Sequence, residues 1–176
     1  MRFQLSLCVP AIIAAAPAAV HADNFLSLEQ AQALMFPGAT FTPSDFVLSD
    51  DQLTQLIKET QAPIFRRQVK VWRVSSGGWF FLDQVIGRDD RITFAVGLDS
   101  TGAVKDVEIL ICLQKYDGIR RPDWRGQFVG KQYSNKADLM NQIATLSGST
   151  LSTIHITEGV KRVLATYALF MQPKVS

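Results

Sequence analysis

A short run of hydroxyl side chains near the carboxyl end is the part of this sequence best suited to chemistry. Residues 146–153 read Leu-Ser-Gly-Ser-Thr-Leu-Ser-Thr, with five hydroxyl groups among eight residues. Glycine permits a close backbone approach, and Ser152, Thr153 or Thr157 could cap a helix that follows. The N–H groups at such a helix N-terminus favour an anion such as phosphate. The run therefore predicts either a phosphate-binding turn or a plain helix cap.

The first 22 residues have the features of a secretory leader. Arg2 precedes an apolar run, no acidic residue is present, and the segment ends in small residues. The run is short for a bilayer span and two prolines interrupt it, which favours cleavage after Ala22 over a retained anchor. We therefore expect a signal peptide at residues 1–22, a single domain at residues 23–176 and a periplasmic location. Membrane association is expected only if the leader is retained.

The composition of the chain excludes several classes of protein. The sequence is 47% hydrophobic with 18 Lys+Arg against 16 Asp+Glu, which indicates a globular domain without the basic face that nucleic acid requires. After the leader, Cys112 is the only cysteine and His155 the only histidine. The domain therefore cannot form an intrachain disulfide, a CxxC pair, a haem attachment site or a metal site of several Cys or His.

A hydrolase with Ser147 or Ser152 as its nucleophile is a poor alternative. His155 is the only histidine available as a base, and no Gly-x-Ser-x-Gly elbow is present. We predict no catalytic residue.

Three further residues are weaker candidates for contact with a ligand. His155 follows Thr150 by five residues, Lys131 could approach a phosphate, and Trp124 could pack against a ring. Each also has an ordinary structural interpretation, as a histidine near a helix start, a solvated lysine and a core aromatic residue. Residues 115–136, here called the basic segment, are locally basic. This indicates either a solvated loop or a surface that faces a phosphate or an acidic partner.

The remaining sequence predicts the elements that position these residues. Capping-box spacing at Ser27 and Ser49 predicts two helices, and period-two apolar patterns between Gln68 and Leu113 predict four antiparallel strands. Apolar residues at helical spacing predict a last helix that begins near Ser152. The expected fold is one α+β domain, an antiparallel meander with helices on one side.

Several stretches of the sequence, in order, resemble FMN-binding domains. Ser147-Gly148-Ser149-Thr150 resembles their Ser/Thr-Gly-Ala-Thr motif, found in the G subunit of the Rnf electron-transport complex and the C subunit of the sodium-translocating NADH:quinone oxidoreductase. The resemblance covers roughly residues 69–169 and is nearest to small stand-alone secreted members. The further stretches that carry it are Phe36–Ala39, Val71–Arg73, Gly78–Gly87, Ile92–Asp99, Val107–Leu110, Trp124–Lys131 and His155–Val160.

The resemblance implies a cofactor, a site and a set of partners. It implies that a flavin transferase joins the phosphate of FMN to the hydroxyl of Thr150 as a phosphoester, and that the protein is an electron-transfer flavoprotein. A cytochrome or a membrane electron-transport complex is the expected redox partner. The candidate cofactor-binding residues are Thr150, Ser147, Gly148, Ser149, Ser152, His155, Lys131 and Trp124.

Two residues depart from the family pattern and leave an alternative open. Ser149 replaces the usual alanine, and Ala144 stands where many relatives carry an acid three residues before the motif, with Asp138 further upstream. The alternative is a secreted binding module of the same fold without covalent flavin, which would use the sheet and the basic segment to hold another ligand or protein.

Overall fold

The computed structural model describes residues 26–88, 90–113, 118–134 and 138–172, so the predicted signal peptide at residues 1–22 lies outside the described residues. Within this part of the chain, six strands form an antiparallel sheet in the order β1-β3-β4-β5-β6, with β2 also paired to β3. The helices are α1 (Leu28–Met35), α2 (Asp50–Thr60), α3 (Pro122–Arg125) and α4 (Thr150–Thr166). The strands are β1 (Phe41–Pro43), β2 (Phe46–Val47), β3 (Gln68–Val74), β4 (Trp79–Ile86), β5 (Arg91–Leu98) and β6 (Val104–Ile111).

Strands β3 to β6 form the predicted meander, in which each strand is antiparallel to the next. The turn between β3 and β4 requires glycine at Gly78. Its φ is +91°, and a Cβ built there would lie 2.1 Å from the carbonyl oxygen of Leu98. Any side chain at this position would therefore push β4 away from β5.

Two short strands, β1 and β2, lie along the outer edge of β3 and were not predicted. Between them, Ser44 donates its N–H to the carbonyl of Val71 at 2.8 Å, and the Asp45 carboxylate accepts the N–H of Val71 at 3.0 Å. The Asp45 side chain thus takes the place of a backbone carbonyl in the ladder. Strands of three and two residues are too short to show a period-two pattern in the sequence.

Helices cover both faces of the sheet, so the predicted α+β antiparallel fold is confirmed but the gathering of all helices on one side is wrong. Helix α4 packs on the face that carries Phe94, whereas α1 buries Ala31 and Met35 on the opposite face, against Ala95. The small residues of β5 explain the difference. A Cβ at Gly97 would lie 2.9 Å from the ring of Phe36, so glycine makes room for the segment that follows α1.

Helix α4 is the central helix of the domain. It begins at Thr150, two residues before the predicted start, and a π-helical turn at Tyr167–Met171 follows its end. Pro173, expected to end the helix, lies outside the described residues. At Gly159 the helix meets the sheet so closely that a Cβ would lie 2.5 Å from the Phe94 ring.

A buried arginine ties α4 to two other parts of the chain. Arg162, 7% exposed, donates from Nε and Nη2 to the Asp83 carboxylate of β4 at 3.0 and 2.6 Å. Its Nη1 donates to the carbonyl of Pro63 at 2.6 Å, in the segment between α2 and β3. Because loss of the carboxylate would leave a buried charge without its partner, this pair restricts how α4 can sit on the sheet.

Across the described ranges, no helix combines the length and apolar character needed to cross a bilayer.

The close approach at Gly159 gives a first prediction. Gly159→Ala should lower the free energy of unfolding by about 1 to 3 kcal/mol in urea denaturation, because the added methyl group overlaps the Phe94 ring. This loss should outweigh the gain of about 1 kcal/mol in helix propensity. Phe94→Leu in the same chain should recover part of the loss in a double-mutant cycle. A Gly159→Ala variant more stable than the wild type would contradict the packing argument.

Candidate functional site

The hydroxyl-rich run forms a tight turn that leads directly into α4. Ser149 donates its N–H to the Leu146 carbonyl at 3.0 Å, and Gly148 has a φ of +83°. Thr150 is the first residue of the helix, and the side chain of the N-cap residue Ser149 makes no capping hydrogen bond. By contrast, α1 and α2 each begin with a complete capping box. The first-turn N–H groups of α4 are therefore not capped by the Ser149 hydroxyl.

Burial separates the five hydroxyl groups of the run into two sets. Ser149, Ser152 and Thr153 are 5%, 2% and 1% exposed, whereas Ser147 and Thr150 are exposed. The Thr150 hydroxyl donates to the Leu146 carbonyl at 3.2 Å. Only Ser147 and Thr150 of these five therefore present their side chains to an incoming enzyme or ligand.

Thr153 and Thr157 do not act as caps, contrary to one of the predicted possibilities. Their hydroxyl groups donate to the carbonyls of Thr150 and Thr153, each at 2.7 Å, inside α4. The reason is that the helix starts earlier than predicted, which places both threonines within it.

The unusual residue Ser149 packs against a glycine. A Cβ built at Gly118 would lie 3.3 Å from the Ser149 hydroxyl oxygen and 3.2 Å from Cδ1 of Leu146. The lack of a side chain at Gly118 thus leaves room for the oxygen that Ser149 adds relative to alanine. This departure from the family motif is accommodated inside the turn and leaves Thr150 exposed.

The peptide groups before the turn are held by two side chains of the basic segment. Trp124 donates its indole N–H to the carbonyl of Ala144 at 2.8 Å, and Gln127 accepts the N–H of Ala144 at 2.9 Å. The Trp124 ring is 1% exposed and meets Phe128 edge-on, with centroids 5.2 Å apart. Trp124 therefore lies in the core and reaches the motif through Ala144. Sequence reasoning did not single out Gln127, because a glutamine in a loop has no distinctive spacing.

The two remaining candidates have partners of their own. Lys131 donates from Nζ to Oε1 of Gln142 at 2.9 Å, two residues before Ala144. His155 Nδ1 lies 2.5 Å from the carbonyl oxygen of Ile86, which assigns the proton to Nδ1, because a carbonyl only accepts. His155 also lines a small cleft with Phe65. The structure thus brings the residues of the 147–152 run together, and Lys131 and His155 contact other elements.

The arginines of the basic segment attach it to β6. Arg120 donates to the carbonyl of Ile109 at 3.0 Å, Arg125 donates to the carbonyl of Val107 at 2.5 Å, and Arg125 also pairs with Glu108. Arg121 pairs with Asp123 at the surface, 2.5 Å apart. Lys115 and Lys136 lie outside the described residues. The described part of this segment is therefore a packed layer on β6 and differs from the solvated loop considered above.

The upstream acid Asp138 forms an ion pair far from the motif. Its carboxylate lies 2.9 Å from Nζ of Lys161 and accepts the N–H of Met140 at 3.1 Å. Lys161 follows Thr150 by eleven residues on α4, which is about 16 Å along the helix axis. Asp138 therefore does not substitute for the acid that is missing at position 144.

A separate open cleft lies at the other end of α4. It has a volume of about 680 Å³ and its lining includes Trp79, Tyr167 and Met171. With 17 residues in α4, this end is about 25 Å from Thr150 along the axis. The cleft is therefore not part of the motif site.

Among the described residues, no group of three or more His, Cys, Asp or Glu side chains is arranged to hold a metal ion.

The left-handed backbone at Gly148 gives a prediction with a matched control. Gly148→Ala should lower the free energy of unfolding by about 1 kcal/mol, because φ is +83° although no atom lies within 4 Å of the added methyl group. Gly126→Ala also adds a methyl group in open space, but its φ of −59° suits alanine, so no loss is expected there. Urea denaturation of both variants tests this. Equal stabilities for the two would show that the turn does not depend on glycine.

The Asp138–Lys161 pair gives a pH-dependent prediction. The hydrogen bond from Lys161 holds the pKa of Asp138 below its ordinary value, against the opposing effect of burial. A lowered pKa stabilises the folded state above the unfolded-state pKa, and this contribution is lost as pH falls through the folded-state pKa. Asp138→Asn should therefore be less stable than the wild type by about 0.5 kcal/mol at neutral pH. The difference should vanish between about pH 5 and pH 2. A difference that stays constant over this range would contradict the assignment.

Comparison with known proteins finds one family model that covers the motif turn. Residues 87–165 match the family model of the FMN-binding domain, and this span includes β5, β6, the basic segment, the motif turn and all but the last residue of α4. A search of curated proteins found no match. The predicted resemblance is confirmed by the family match. This match covers just under half of the chain and supports FMN as the cofactor.

Proposed function

We propose that this protein is a periplasmic electron-transfer flavoprotein that carries FMN as a phosphoester on Thr150. The observation that carries the proposal is the position of Thr150 in a chain that matches the FMN-binding domain. Its side chain is exposed, and it is the first residue of a helix whose N-cap side chain does not cap. The predicted leader supports the location, since it would direct the domain across a membrane.

The residues at the turn suit a phosphate of FMN. A phosphodiester keeps one negative charge, and the first-turn N–H groups of a 17-residue helix favour an anion through hydrogen bonds and the helix dipole. The family match ends close to the end of α4 and includes the whole turn. The residues that would hold the phosphate are Thr150 through its oxygen, and Thr150, Leu151 and Ser152 through their N–H groups.

The attachment step requires an activated flavin donor. A bond forms between the Thr150 oxygen and phosphorus, and the bond from phosphorus to the leaving group breaks. A flavin dinucleotide is such a donor, because cleavage of its pyrophosphate releases a nucleoside monophosphate, and the hydroxyl proton passes to a base of the transferase. The Thr150 hydroxyl donates to the Leu146 carbonyl at 3.2 Å before this step, and that hydrogen bond is lost when the oxygen is esterified.

FMN supplies one- and two-electron transfer, and attachment at the phosphate leaves the isoalloxazine ring unaltered. In the mature sequence Cys112 is the only cysteine, and it is buried. A covalent bond suits a compartment in which a dissociated cofactor would be lost by diffusion. The expected partners are a flavin transferase for maturation and a cytochrome or membrane electron-transport complex for electron exchange.

A second candidate function is a secreted binding module of the same fold without covalent flavin. Its support is Ala144, which stands in place of an acid, together with the pairing of Asp138 to Lys161. If a transferase must recognise an unpaired acid before the motif, this chain has alanine at position 144 and an Asp138 that is paired with Lys161.

Coexpression with a flavin transferase distinguishes the two candidates. The full chain, with its leader, should give a flavin-fluorescent band on a denaturing gel and a mass increase equal to one FMN less water. Thr150→Ala should abolish both signals, because the esterified oxygen is absent. Ser147→Ala is the matched control, since Ser147 is the other exposed hydroxyl of the turn, and it should retain the label.

Two results would reject covalent attachment at Thr150. One is a colourless wild-type protein of unmodified, leader-processed mass, which would favour the binding module. The other is fluorescence that survives Thr150→Ala, which would move the linkage to another hydroxyl.

A further inference from the structure

We infer that Trp124 and Gln127 are positioning residues for attachment of FMN at Thr150, an inference that rests on the proposed function. These two side chains hold both hydrogen-bonding groups of one residue, Ala144. The Trp124 indole donates to its carbonyl at 2.8 Å, and the Gln127 amide oxygen accepts its N–H at 2.9 Å. We call this arrangement the Ala144 clamp.

The clamp is anchored to the sheet. Trp124 lies in α3 and Gln127 in the 3-10 turn Gly126–Phe128 that continues it, so a three-residue spacing brings both side chains to the same peptide segment. Between them, Arg125 donates to the carbonyl of Val107 and pairs with Glu108, both in β6. The position of Ala144 is thereby fixed relative to β6.

The path from Ala144 to the reacting oxygen is short. Leu146, two residues later, accepts hydrogen bonds from the Ser149 N–H at 3.0 Å and from the Thr150 hydroxyl at 3.2 Å. Its side chain packs against the core between α4 and the Phe94 face of the sheet, and it lies beside Gly118. A shift of the chain at Ala144 would therefore move the carbonyl that orients the Thr150 hydroxyl. Small misplacements of a reacting group lower rates strongly, by about a hundredfold for 1 Å.

The clamp can be tested apart from the core packing. Trp124→Phe keeps an aromatic ring in the core but removes the N–H donor. Gln127→Leu removes the acceptor at a half-buried position, whereas Gln127→Glu keeps an oxygen that accepts the Ala144 N–H. Gln132→Leu is the matched control, because the Gln132 amide donates to Thr101 and does not contact Ala144.

The experiment measures transfer of flavin to the purified mature chain by a flavin transferase with a flavin dinucleotide. Trp124→Phe and Gln127→Leu should each lower kcat about tenfold or more, with KM for the protein changed less, because the hydroxyl is misplaced while the surface is retained. Gln127→Glu and Gln132→Leu should stay within about threefold of the wild type. Hydrogen exchange should show faster exchange of the Ala144 amide in Gln127→Leu, at a folded fraction verified by urea denaturation.

The outcomes separate this inference from the proposed function. A wild type that accepts no flavin, or accepts it elsewhere than Thr150, overturns both. A wild type labelled at Thr150, with Trp124→Phe and Gln127→Leu labelled at the same rate, overturns the inference alone. So does a loss of rate that disappears when rates are corrected for the folded fraction, or Gln127→Glu as slow as Gln127→Leu.

Discussion

The contact of α4 with the sheet at Gly159 is the constraint on which the rest of the structure depends. A helix that begins at Thr150 can present that residue at a fixed place only if its middle is held, and the Phe94 ring lies where a Cβ at Gly159 would stand. The Arg162 pair with Asp83 restricts the helix further along. Because Gly159 and Arg162 are both buried, these contacts fix the direction of α4 and hence the location of its N-terminus. Removal of either contact would be expected to disturb Thr150 from a distance.

The second requirement is a fixed approach to that N-terminus, and this comes from the basic segment, which packs beside α4 in the same core. The basic segment is bound to β6 through Arg120 and Arg125 and then holds Ala144 through Trp124 and Gln127. The turn between Ala144 and Thr150 is thus supported at both ends, by β6 and by α4. Of the four basic residues described in this segment, Arg120 and Arg125 attach it to β6, whereas Arg121 pairs with Asp123 and Lys131 donates to Gln142. Local net charge therefore gave little information about a ligand.

The meander and the capped helices could be predicted because each depends on neighbours in the sequence. The capping boxes at Ser27 and Ser49 involve residues three apart, and the alternation in β5 and β6 is visible directly. The placement of α1 on the second face could not be predicted. It depends on the space that the small residues Ala95 and Gly97 leave on a strand whose large apolar side chains alternate onto one face. The contact of Gln127 could not be predicted for a similar reason, since its partner Ala144 is distant in sequence. The motif residue Thr150 was selected by resemblance, and its exposure at the helix start gives that selection a geometric basis.

The interruption between β1 and β2 has a consequence for association between copies of the chain. A sheet edge with a long row of unpaired N–H and C=O groups acts as a template for another strand, and proteins avoid this with short edge strands and inward-turned charges. Here the outer edge of β3 is covered by pieces of three and two residues, and Asp45 at their junction also pairs with Lys70 at 2.5 Å. The opposite edge, β6, is partly occupied by Leu26, which donates its N–H to the carbonyl of Leu110 at 2.9 Å. Among the residues that the structure describes, neither edge offers a long, uninterrupted register, which disfavours strand exchange and fibril growth from this part of the chain.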